Sequence, residues 1–262
     1  MPLSQLFPAV TGQASAVVDR GGQGTVALVG AIDGNAVASI RRIGSARVPI
    51  RTLYIDSIGG DVTSAIDLAL YLREKRVHVV VAGRCFSACA NYLFTGAVTK
   101  SVLPGSLVAI HGLRYQYHGA NGMTEVGGID AAKKLQTVDA TAPARLAAIV
   151  RREQAFYRQV GIDQSYHQAF ARYEQAQQGR KASAACPAIE LWALGKADFD
   201  AMDIAGLREV WTPSTVDETR STGQRLGVAP STLYFGSEDD LERLCGGKPT
   251  GGLRAFLASL FR

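Results

Sequence analysis

The chain has 262 residues, 47% of them apolar, which is enough for one sizeable core and tight for two. Its net charge of +5 comes from 28 Lys and Arg against 23 Asp and Glu. These are scattered rather than gathered into basic runs interleaved with aromatics, which argues against a nucleic-acid partner. The four cysteines, Cys85, Cys89, Cys186 and Cys245, have no C-x-x-C spacing. They read neither as a disulfide scaffold nor as a zinc site, so no metal or other cofactor is expected. The opening MPLSQLFPAVTGQASAVVDR lacks a basic n-region followed by an apolar h-region. No segment reaches the roughly 18 apolar residues that a spanning helix needs. The expected location is cytoplasmic, or periplasmic if the true start lies upstream.

Residues 1–23 are a weakly patterned N-terminal segment ending at the turn-like Arg20-Gly21-Gly22-Gln23-Gly24. Thr25–Ile32 and Arg51–Ile58 predict strands, the second bounded by Gly59-Gly60. Val62–Lys75 places Ile66, Leu68, Ala69, Leu70 and Leu72 as a helix packed on a sheet. The continuous Val in Val77–Ala82 marks a strand buried on both faces. Ser87–Gly96 is a helix of small residues, and Leu107–His111 a further strand. Strand–helix–strand order at this spacing predicts right-handed crossovers and an α/β fold with a largely parallel sheet over 24–212. Ala142–Gln178 is helical with a break at Gly161, Phe199–Gly206 is a short helix, and Glu209–Trp211 adds an edge strand. From Pro213 to 262, Gly, Ser, Thr and Pro predict a loosely attached appendage. It closes on an amphipathic helix with Leu253, Phe256, Leu257 and Leu260 on one face.

Three features fall at strand ends. In Ser57-Ile58-Gly59-Gly60, paired glycines let backbone approach a ligand and aim N–H groups at it. In Gly83-Arg84-Cys85-Phe86-Ser87-Ala88-Cys89-Ala90, Ser87 sits where a helix begins. Free N–H groups and the helix dipole stabilise an oxyanion there. In Leu107-Val108-Ala109-Ile110-His111-Gly112, a histidine closes a strand. Ligands of open α/β sheets bind at the carboxyl ends of strands, so all three converge on one rim. Each feature alone is commonplace, an N-cap, a structural histidine or a turn; their conjunction is what points to chemistry.

Asp56–Asp61 (DSIGGD), Gly83–Ala90 and Thr95–Gly112 (TGAVTKSVLPGSLVAIHG) resemble successive blocks of the Clp protease proteolytic-subunit family. The nearest resemblance is to an uncharacterised, periplasmic-type branch with a Cys-x-Ser-Ala-Cys corner. The resemblance covers about residues 25–212 and is strongest over 51–112. It implies the ClpP/crotonase-like fold, with Ser87 as nucleophile, His111 as base, and the Gly59 and Ala88 N–H groups as oxyanion hole. It further implies a homo-oligomer, stacked through a helix near Ala142–Gln159 with Leu146, Ile149, Val150 and Phe156 as contacts. The substrate would be a peptide or unfolded protein, with no ATPase or membrane partner named. Ile58 stands where the family has proline.

The family's third triad member is an Asp shortly before an aromatic–Leu block that corresponds to Trp192-Ala193-Leu194. Counting back reaches Cys186-Pro187, and Glu190 is the nearest acid upstream. Glu190 is the candidate orienting residue. Asp198 and Asp200, at a helix start, read as N-terminal acids, and Asp203 lies further downstream. Lys100 is an alternative base in a Ser–Lys pair, although a solvated lysine is commoner. His78, His118 and His167 are dispersed without metal-ligand spacing. The function expected is a serine hydrolase, a peptidase. The alternatives are a catalytically weak or inactive scaffold and a crotonase-type acyl-CoA enzyme.

Overall fold

The computed structural model describes residues 16–246, apart from 21, 47, 113, 120–121 and 128–140. The terminal helix expected over 253–260 lies outside them. Strands β1 (Ala16–Asp19) and β2 (Thr25–Ile32) pair antiparallel, and Asp33 then caps α1 (Gly34–Gly44) by accepting from the Ala36 N–H. β3 (Thr52–Gly60) runs parallel to β2, and Asp61 caps α2 (Val62–Glu74). β4 (His78–Phe86) runs parallel to β3. Its Val79, Val80 and Val81 are buried, each such side chain adding about 1.5–3 kcal/mol by leaving water. The chain turns through Ser87 into a π-helix, Cys89–Phe94. Then come β5 (Thr99–Val102), β6 (Leu107–Ile110) and a separate hairpin of β7 (Arg114–Gly119) and β8 (Gly122–Gly127).

β4 forks. Residues 78–81 pair with β5, whereas 84–86 pair with β6. The divergence falls at Gly83, whose φ of +145° and whose lack of a Cβ admit the Asp56 carboxylate: a Cβ there would stand 2.8 Å from Asp56 Cγ. This fork brings the carboxyl end of β6 beside the carboxyl end of β4.

The helical stretch breaks at Gly161, as its sequence predicts, into α3 (Ala142–Val160) and α4 (Ser165–Gln177), with Gly161 in the left-handed conformation. β9 (Leu191–Ala193) pairs antiparallel with β6, α5 (Lys196–Ala201) follows, and β10 (Leu207–Val210) runs parallel to β5. Among the described residues, nine strands form one sheet, mostly parallel, in a mixed α/β architecture.

The stretch from Pro213 is not loosely attached. It supplies α6 (Val216–Arg225), β11 (Leu233–Tyr234) parallel to β9, and α7 (Glu238–Arg243). Leu233, Leu241 and Cys245 are buried, and Cys186–Cys245 is a disulfide. Cys85–Cys89 is a second one, so all four cysteines are paired. Among the described residues, no helix is long and apolar enough to cross a membrane. Leu146 and Phe156, expected as subunit contacts, are buried in this chain's own fold, Phe156 against Tyr92.

Candidate active site

The site is built by register. Phe86 pairs with Ala109, and the next N–H, that of Ser87, donates to Ala109 O at 3.0 Å. Two residues beyond Ala109 comes His111, so backbone hydrogen bonds alone bring the two side chains together. Ser87 Oγ and His111 Nε2 are 2.7 Å apart. His111 Nδ1 bonds the carbonyl of Gly112. A carbonyl only accepts, so Nδ1 carries the proton and Nε2 accepts from the Ser87 hydroxyl. That tautomer is the one that can remove the serine proton.

Ser87 has φ of +55°, an uncommon conformation for a residue with a side chain. Two features hold it there. The Cys85–Cys89 disulfide brackets it, and Gly59 lies against it: a Cβ on Gly59, at φ +98°, would come 2.7 Å from Ser87 Cβ and 2.9 Å from Ala88 N. Gly60 is equally constrained, since a Cβ would fall 2.3 Å from Ile32 O. The three sequence features therefore meet at one corner of the sheet. Ala88 N–H opens the helical turn, where such groups lack intrahelical acceptors. Gly59 N–H donates to Ser57 Oγ at 3.1 Å, and Ser57 in turn donates to Gly30 O. Beside them the Arg84 guanidinium pairs with Asp56, Nε to Oδ1 at 2.7 Å.

Glu190 does not join this cluster. Continuing the antiparallel register Ile110↔Trp192 sets its backbone opposite Gly112, but its side chain is exposed and forms no hydrogen bond or ion pair with His111 among the described residues. The register therefore brings the Glu190 backbone to the end of β6 while its side chain points to solvent. Asp198 is a capping acid: Oδ2 accepts from Gly195 N–H at 2.7 Å and Oδ1 from Tyr166 OH at 3.2 Å, and burial raises its pKa. Asp200 pairs with Lys196, and Asp203 ends the same segment at positive φ. Lys100 is buried and donates to Thr95 O rather than to Ser87. Burial, and secondarily Arg73, push it down to about 7.

Two residues on α4 had no signal in sequence. His167 is buried beside Tyr157, with Nε2 3.4 Å from the Tyr157 hydroxyl. Burial, and then the neighbouring His111, push it down to about 4, so it is neutral at physiological pH. Glu174 lies against Gly112, where a Cβ would be 2.1 Å from its Oε2. His78 bonds Thr99 and Ser101 within the sheet. Among the described residues, no group of three or more His, Cys, Asp or Glu is arranged to hold a metal.

No family model matches the chain, and no curated protein does. Among solved structures, a ClpP1 mutant from Listeria monocytogenes aligns over 75% of this chain and 94% of its own, with 17% identity and a TM-score of 0.38.

Proposed function

We propose that this chain is a serine hydrolase acting on peptide bonds, with Ser87 as nucleophile and His111 as general base. The observation that carries the reading is the 2.7 Å contact between Ser87 Oγ and His111 Nε2, with the tautomer that Gly112 O selects. As Ser87 Oγ attacks the substrate carbonyl carbon, its proton passes to His111 Nε2. The carbonyl oxygen becomes an oxyanion, for which Ala88 N–H is the first donor. Gly59 N–H is the second, once it exchanges Ser57 Oγ for the oxyanion. Collapse of the tetrahedral species breaks the C–N bond, and His111 returns the proton to the leaving amine. Water, deprotonated by the same imidazole, then hydrolyses the acyl-enzyme and regenerates Ser87.

The peptide preference rests on the resemblance of the blocks around Ser57–Gly60, Gly83–Ala90 and Thr95–Gly112 to a peptidase family. So does assembly as a homo-oligomer, which would shield such a site from folded proteins. The two disulfides favour an oxidising compartment over the cytoplasm. Purified Ser87→Ala protein is expected to lose hydrolysis of small acyl esters and peptides while its stability changes by about 1 kcal/mol or less. Undiminished turnover would refute the nucleophile assignment.

A further inference from the structure

We infer that Glu174 is the acid that positions His111 and stabilises its protonated form, in place of Glu190. The inference rests on the hydrolase reading above. α4 turns one face toward the carboxyl end of β6: His167, Phe170 and Glu174 recur at helical spacing along it. That face packs at Gly112, the residue whose carbonyl holds His111 Nδ1. A Cβ on Gly112 would stand 2.1 Å from Glu174 Oε2 and 3.4 Å from Phe170 Cδ1. Only glycine leaves space for the carboxylate next to the His111–Gly112 peptide, and Oε2 is itself buried. A negative charge in that setting is weakly screened, so it favours the imidazolium that forms as Ser87 loses its proton.

The groups facing His111 fit this role. From the β4 corner comes the neutral Ser87 hydroxyl, and from α4 the neutral His167, behind which lies Tyr157 of α3. Glu190 of the β9 approach turns to solvent. Of these described groups, Glu174 is the one that brings buried negative charge to the β6 end.

The test is Glu174→Gln, which keeps shape and removes charge, assayed on a small acyl ester beside wild type, Glu174→Asp, Glu190→Gln and Ser87→Ala. Glu174→Gln should lower kcat by roughly a hundredfold to ten-thousandfold with KM little changed. It should also move the acid limb of kcat/KM to lower pH, and Glu174→Asp should restore part of both. Glu190→Gln should match wild type. A Glu174→Gln enzyme within about threefold of wild type, with its acid limb unmoved, would overturn the inference. So would Glu174→Asp performing no better than Glu174→Gln. If Glu174→Gln fails to fold, Glu174→Ala decides in its place: a kcat and an acid limb indistinguishable from wild type in that variant would also overturn the inference. Failure of the underlying reading looks different, because wild type and Ser87→Ala would then be equally inactive.

Discussion

Ser87 occupies a left-handed backbone conformation that its neighbours impose, and Gly59 is the neighbour with no freedom to change. Adding one methyl at Gly59 would strain φ at +98° and drive a carbon within 2.7 Å of Ser87 Cβ. Gly59→Ala is therefore expected to displace the hydroxyl and lower hydrolysis by roughly a hundredfold, with the far-UV circular dichroism retained. Wild-type turnover in that variant would show that the corner is looser than its contacts. His167 makes a second residue-scale prediction. Its folded pKa is about 4 and its ordinary value 6.5. Below about pH 6.5 the unfolded imidazole takes up a proton that the buried one refuses. Stability is thus fully present above that value and falls by up to about 3 kcal/mol as pH drops toward 4. Denaturant titrations of His167→Leu should show a shallower fall over the same window. Ser87 and His111 were legible because each stands in a local pattern, a glycine-flanked corner and a strand end. Glu174 was not, since nothing in a charged helix announces which acid meets Gly112.

The decisive element is β4, which serves two partners. Its first half holds β5 and its second half holds β6, and the change of partner at Gly83 is what carries His111 to Ser87. The valine run gave away the first half; the second half, glycine and arginine followed by Cys-Phe, reads equally well as a turn. β5 was missed for a related reason. Lys100 and Ser101 are polar yet buried, because β5 lies between β4 and β10 and the Lys100 ammonium sits over the Phe94 ring and donates to Thr95 O. Immediately after β4 the Cys85–Cys89 disulfide spans the corner. Its closed loop is so short that the chain-entropy gain is only about 2 kcal/mol, and its larger effect is to hold Ser87 in place. A Cys85→Ala/Cys89→Ala protein should therefore remain folded at 25 °C but hydrolyse esters at least about tenfold more slowly. Equal activity would assign the bridge to stability alone.

At the scale of the whole molecule, the chain closes on itself through residues that looked like a tail. Elements of two to ten residues such as β11 and α6 are too short for periodicity to reveal, and their Gly, Ser and Thr content resembles a linker. Their attachment is tertiary, through β9 and the Cys186–Cys245 bridge, which joins positions 59 residues apart. A loop of that length corresponds to about 4 kcal/mol of stabilisation in the chain-entropy model. Cys186→Ser/Cys245→Ser should lose most of it in urea unfolding; a loss near zero would mean that the C-terminal elements hold by packing. α4 packs against both α7 and the segment bearing Cys245, so this closure also braces the helix that carries Glu174. The central claim is an activated serine at the fork of β4. Its most direct test is to react the intact, oxidised protein with a fluorophosphonate probe at neutral pH and map the adduct by peptide mass spectrometry. One adduct on Ser87, absent from His111→Ala protein, is the predicted result. An unlabelled chain, or labelling of Ser87 that persists without His111, would contradict it.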